Sequence, residues 1–195
     1  MSPRIRSLLQ ATAVAAIIGA GAVYGTVPAV TAEMTVEVGG APMYPSKNII
    51  ENAVNSKDHT TLVAAVQAAG LVETLQGPGP FTVFAPVNAA FEKLPAGTVD
   101  MLLKPENKDK LVGVLTYHVV PGNWSAEWIM GEVEKMGGKY EAKTVAGGTL
   151  TFAMKDGKLW VWDESGNSAL VTIADVNQSN GVIHVIDTVL LPKMG

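Results

Sequence analysis

His59, His118 and His184 are the only imidazoles in the chain, and no cysteine accompanies them. None stands four residues from another, the spacing by which one helix face offers paired metal ligands, so a zinc centre would need carboxylates gathered from distant segments. No metal and no cofactor is expected. Asp58-His59 beside Thr60-Thr61 joins a base to hydroxyls, but adjacent residues at a helix start point in different directions, and no Gly-x-Ser-x-Gly elbow exists. Helix capping by Asp58 or Thr60 accounts for that run better. Nucleotide phosphates have no cradle, because neither Gly-x-x-x-x-Gly-Lys nor Gly-x-Gly-x-x-Gly occurs at a strand–helix junction; Gly147-Gly148 reads as a turn. Asp163 and Glu164 lie in a polar Asp-Glu-Ser-Gly-Asn run, where water is expected to keep both ionised and to leave no pKa separation for acid/base work. These residues offer no catalytic set, and the chain is not expected to be an enzyme.

The residues that position these groups belong to a chain of 195 residues, 48% hydrophobic, with 20 Gly, 11 Pro and a formal charge of -4. That suits one globular domain with a short appendage. The absence of cysteine excludes disulfides, thiolate metal sites and iron–sulfur ligation. An acidic balance without a Lys/Arg-rich run provides none of the counterion release that nucleic-acid binding draws on. Arg4 and Arg6 precede an uncharged apolar stretch from Leu8 to Val30, closed by Ala-Val-Thr-Ala at residues 29–32. This order is that of a cleaved secretory signal over residues 1–32, although the apolar length also suits an uncleaved membrane anchor. Without Arg4 and Arg6, 12 basic residues face 18 acidic ones, about -6. The expectation is a secreted, periplasmic or cell-surface protein that acts as a monomer and meets the membrane only through a retained signal.

Residues 33–45 turn to Gly, Pro and Met without a period and read as a leader or linker, so the compact domain is expected over 46–192, with a tail at 193–195. Leu62, Val63, Val66 and Ala69 recur at helical spacing before Gly70, and Leu71 to Leu75 add a short turn. Gly77-Pro78-Gly79-Pro80 breaks any helix, and Phe81 to Ala85 reads as a buried strand closed by Pro86. Asn88 is placed to cap the next helical piece. A helix is expected from about Asn107 to Thr116, followed by a strand from Tyr117 to Val120. Ser125 begins another helix with Trp128, Ile129 and Val133 on one side, stopped at Gly137-Gly138. Beyond it the period changes to two. Leu150, Phe152 and Met154 alternate with Thr151 and Ala153, Asp156-Gly157 is a two-residue hairpin turn, and Leu159 and Val161 return on the apolar face. Further strands are expected at Ala169 to Ala174 and, after an Asn180-Gly181 turn, at Val182 to Val189. Helices first and strands later make an α+β arrangement.

Three segments exceed what a generic core requires: Phe81-Thr82-Val83-Phe84-Ala85-Pro86-Val87-Asn88-Ala89-Ala90-Phe91, Tyr117-His118-Val119-Val120-Pro121-Gly122, and the run from Asn180 to Pro192. In order and separation they resemble the opening block, the tyrosine–histidine motif and the closing block of the fasciclin-I domain family. Leu62 to Val66 and Ala69 to Leu71 resemble its early helix pair, so the likeness spans about Ser46 to Pro192. The resemblance implies a compact β-wedge of two small sheets with several packed helices, and adhesion or matrix interaction without catalysis. In some members the tyrosine–histidine motif and an Asp-Ile pair are implicated in integrin binding; the matching positions here are Tyr117, His118, Asp175 and Val176. Val176 departs from the pair's Ile, and Val87 and Ala89 replace the Thr and Glu common in the opening block.

Set between apolar runs, Tyr117 and His118 read as buried rings bonded to backbone, and His184, alternating with Ile183 and Val185, as a strand residue with a satisfied ring. Asp175 suits cap or turn chemistry. Trp160 and Trp162 differ, because the Asp156-Gly157 turn pairs them with Ala153 and Thr151 on the face opposite Phe152 and Val161. Either that face is open and marks a binding patch, or other elements cover it. The leading expectation is adhesion to a protein or glycan at the cell surface or in the matrix. The alternative is a cell-envelope carrier of an apolar or sugar ligand.

Overall fold

The computed structural model describes residues 33–193; the expected export signal at 1–32 and the last two residues of the tail lie outside them. The chain opens with an antiparallel hairpin, β1 (Val36–Val38) and β2 (Ala41–Met43). Val38 and Met43 are buried in the main core, so residues 36–43 belong to the fold and are not a leader. Asn52 on the first helix, α1 (Ile49–Ala53), ties the hairpin down by accepting from Tyr44 N–H and donating to Tyr44 O, and its amide also reaches Gln178.

A 3-10 turn (Lys57–His59) leads into α2 (Thr60–Ala69), which Gly70 ends as expected, and α3 (Val72–Gln76) follows. Then come β3 (Phe81–Pro86), α4 (Asn88–Glu92), α5 (Thr98–Leu102) and α6 (Lys108–Tyr117). The expected cap at Asn88 acts on a different helix. Its Oδ1 accepts from Thr61 N–H at 3.0 Å and Thr60 Oγ1 at 3.2 Å, and its Nδ2 donates to Lys57 O at 2.8 Å, so Asn88 caps α2 from across the fold while α4 starts without a side-chain cap. Asn88→Ala is therefore expected to cost about 1–2 kcal/mol, read as a lower urea midpoint with an unchanged slope. An unchanged midpoint would refute the cross-fold cap.

Helix α6 runs through Tyr117, with His118 at its C-cap, and the strand expected to begin at Tyr117 starts later, as β4 (Val119–Pro121). Ser125 caps α7 (Ala126–Lys135), accepting from Trp128 N–H. Ile129 and Val133 are buried, but Trp128, a step off that stripe, is 42% exposed and packs against Trp124 and Tyr140, with ring centroids 4.9 and 5.7 Å away. The chain ends in β5 (Lys139–Lys143), β6 (Thr149–Lys155), β7 (Lys158–Trp162), β8 (Ser168–Gln178) and β9 (Gly181–Ile186). No helix among the described residues is long and apolar enough to cross a membrane.

The larger sheet has the strand order β4-β3-β9-β8-β7-β6-β5, antiparallel except for β3 beside β9. Strand β8 gives its first residues to β7 and the rest to β9, with register shifts between Val171 and Val176, so two small sheets share one bent strand. Val145 N–H donates to Val119 O, drawing the outer ends of the two sheets together. This is the α+β wedge that the family resemblance implied. One core lies between the helices and the Val83, Ala85, Ile183 and Val185 side of β3 and β9; the other lies under α7, around Phe84, Leu150, Phe152, Val161 and Ile186.

Candidate functional site

The tyrosine–histidine motif sits between the two cores. Tyr117 is fully buried; its hydroxyl donates to Thr149 O at 2.7 Å and accepts from Glu164 N–H at 3.0 Å. Burial pushes its phenol up to about 12, because the charged form would lose its water. A Cβ at residue 148 would stand 2.5 Å from the Tyr117 ring, so Gly148 is required by close approach and is more than a turn residue. His118 sits one residue on. Its Nε2 accepts from Leu190 N–H at 3.0 Å, which leaves the proton on Nδ1 to donate to Val114 O at 2.8 Å. Burial pushes this imidazole down to about 4.

Asp163 departs from the expected solvated turn. It is buried and accepts from the backbone N–H groups of Ser165, Asn167 and Leu191 and from the Asn167 amide, at 2.8 to 3.0 Å. Only Glu164 of that pair is exposed, and its Oε1 accepts from Thr149 N–H. The two carboxylates thus organise the backbone around the Tyr117 hydroxyl.

Asp175 has a φ of 57°, a left-handed conformation that Asp tolerates better than most residues. Its Oδ1 accepts from Ala126 N–H at 2.8 Å and so caps α7, and its own N–H donates to His184 Nδ1 at 3.3 Å. His184 then donates through Nε2 to Trp124 O at 2.8 Å and stacks on Phe84; burial holds its imidazole below the usual range. Val176 is buried in the helical core opposite Ile183. Tyr117, His118 and Val176 therefore have no free surface to offer a partner, and Asp175 spends its carboxylate on a helix start. Each of these candidates has a structural job. Among the described residues no three histidine or carboxylate side chains converge on a point where a metal ion could sit.

Trp160 and Trp162 are different. Asp156 and Gly157 both take left-handed conformations, as the expected two-residue turn requires, and the register follows: Phe152 opposite Val161, Ala153 opposite Trp160, Thr151 opposite Trp162. Phe152 and Val161 enter the core under α7, while the two indoles lie half-buried on the reverse face, in contact with neither core. Their centroids are 6.2 Å apart. The face is partly open: neither core covers it, both indoles are half-buried, and Ala153 in the Trp160 row is buried. Sequence reasoning missed the lysines that share it, because β5, which carries two of them, reads Lys-Tyr-Glu-Ala-Lys and has too little apolar character to stand out as a strand.

A further feature is a cavity of about 50 Å³ beneath α1 and α2. Its walls are almost wholly apolar; His59, which bonds Ser56 Oγ through Nδ1 at 2.9 Å, is one of few polar residues on them.

Comparison with known proteins places these features in a family. The Fasciclin domain model matches residues 57–192. The chain is 52% identical over 164 residues to "Protein sll1483" of Synechocystis sp., covering 84% of each chain. It is 38% identical over 145 residues to "Cell surface glycolipoprotein MPB83" of Mycobacterium bovis, covering 72% of this chain and 58% of that one. Among solved structures, a FAS1 domain pair from the insect cell adhesion molecule fasciclin I superposes with a TM-score of 0.65 at 15% identity, covering 84% of this chain and 59% of that one, a likeness of fold.

Proposed function

Because the chain belongs to the fasciclin domain family, we propose that it works as an exported adhesion-type domain that presents one preformed sheet face to a protein or glycan at the cell surface or in the surrounding matrix. The observation that carries this reading is the pair of half-buried indoles on a strand face that packs into neither core, since indoles are frequent energetic anchors of interfaces. The apolar stretch and small-residue end of residues 1–32 support export. Binding without catalysis is supported by the employment of His118 and His184, each of which uses both ring nitrogens on backbone groups. A carrier role draws less support, because drug-sized ligands need some 300–1,000 Å³ and the cavity under α1 and α2 offers about 50 Å³.

The test is attachment of the purified protein to envelope preparations from the producing organism. The double variant Trp160→Ala/Trp162→Ala is expected to attach about tenfold more weakly, or less still, while unfolding cooperatively as the parent does. Undiminished attachment would overturn the reading.

A further inference from the structure

We infer that the Trp160/Trp162 face takes an acidic polysaccharide, its sugar rings over the indoles and its carboxylate or sulfate groups on the lysines that frame them; this rests on the adhesion reading and names its partner class. The register sets out the platform. Lys139, Ala153 and Trp160 form one cross-strand row and Glu141, Thr151 and Trp162 the next, with Lys155 opposite Lys158 at the turn end and Lys143 opposite Thr149 at the other. Four rows on three strands make a patch about 20 Å long and 10 Å wide. All four lysines are exposed.

Charge supplies the complementarity. Without its N-terminal arginines the chain is acidic, yet four of its twelve lysines stand on this face against Glu141, with Asp156 at the turn tip and Glu164 beyond the end of β7 as the adjoining carboxylates. The ion pairs among the described residues are Lys93–Asp187 and Lys135–Glu132, so none of the four lysines holds a carboxylate within 4.0 Å. Lys155 and Lys158 face each other directly, a like-charge pairing that costs stability in the free protein and that an external anion would relieve. Protection of the sheet edge explains lysines on β5; it does not explain the pair at the turn or the two indoles on the same face.

The aromatic half of the platform favours a sugar among the possible anions. Lys155 Nζ stands 5.6 Å from the Trp160 ring centroid, which sets an ammonium beside an indole. Trp160 Nε1 is buried without a partner, so the part of that ring open to solvent is carbon, suited to the C–H face of a pyranose. An acidic polypeptide would engage the lysines and leave that ring surface unused. An anionic bilayer would call for aromatic side chains that stand clear of the surface, and these lie half-buried in the sheet.

The test uses the full chain with immobilised alginate as the polyuronate probe, and with dextran, poly-glutamate and phosphatidylglycerol vesicles as the competing surfaces. Retention on alginate that weakens as NaCl rises is expected, because exposed charge pairs are screened. Lys139→Gln/Lys155→Gln/Lys158→Gln and Trp160→Ala/Trp162→Ala should each weaken retention about tenfold, whereas Lys57→Gln/Lys104→Gln/Lys110→Gln, equal in charge change and away from the face, should leave it within about twofold. No retention on alginate, equal retention on dextran, poly-glutamate or the vesicles, or equal loss in both lysine variants would each overturn the inference. If alginate is ignored while the tryptophan variant still loses envelope attachment, the polysaccharide assignment fails and the adhesion reading stands. Should the tryptophan variant attach normally to envelopes, the adhesion reading itself fails.

Discussion

His118→Ala is expected to lower the unfolding free energy by about 3–4 kcal/mol, the largest single-residue effect anticipated here. The side chain is buried and bridges Val114 O at the end of α6 to Leu190 N–H in the closing segment, 72 residues on. Alanine would leave a cavity the size of an imidazole and strand a buried donor, and each change alone is costly. Tyr117→Phe keeps the ring and loses only the hydroxyl's bonds to Thr149 O and Glu164 N–H, so about 1–3 kcal/mol is expected for that variant. Urea titrations give both values. A His118→Ala protein that unfolds like the parent but no longer attaches to its partner would make the motif a contact surface and reverse its assignment as a tie between cores.

Acidification should destabilise the protein steeply between pH 6.5 and 4. The His118 imidazole takes a proton near 6.5 in the unfolded chain and only at about 4 when folded. Through that interval the unfolded state binds more protons, so its share of the stability is complete above pH 6.5 and is lost as the pH falls through 4. The gap corresponds to a loss on the order of 3 kcal/mol from this residue alone. Burial lowers His59 and His184 in the same direction, which adds to the loss. Protonated His184 could no longer accept the Asp175 N–H, so the start of α7 should loosen as the acid limb is entered. At the alkaline end the sign reverses: the Tyr117 phenol, raised to about 12, stays protonated in the fold while the unfolded chain ionises near 10, and stability falls above pH 10. Urea midpoints measured from pH 7 down to pH 4 check the acid limb, and His118→Ala should flatten it. A parent midpoint that stays constant over that range would show that the imidazoles are not held neutral by burial.

Local chemistry sufficed for much of this architecture. The Asp156-Gly157 turn and the alternation around it set the register of β6 and β7, since a two-residue turn leaves one pairing and a period of two then assigns every side chain to a face. The Gly70 stop, the Ser125 cap and the Gly77–Pro80 break were legible for the same reason: each acts within a few residues of itself. The three blocks that resemble the fasciclin family were legible as a set, in order and spacing, before any packing was known.

Other features needed the folded chain. Asn88 caps a helix 27 residues earlier, Asp163 gathers N–H groups from its own turn and from Leu191, and Val38 and Met43 reach the core from a Gly- and Pro-containing hairpin too short to show a period. The lysines and the tryptophans come from strands separated by turns and become one face only when β5, β6 and β7 pair. Whether that face meets water or a second layer depends on where α7 packs, and α7 lies on the opposite side, under Phe152 and Val161. Backbone alternation is local, so for strands such as β6 and β7 the side that a residue occupies can be read along the chain. Which of those sides is buried follows from packing, because burial is set by the partner that a face finds.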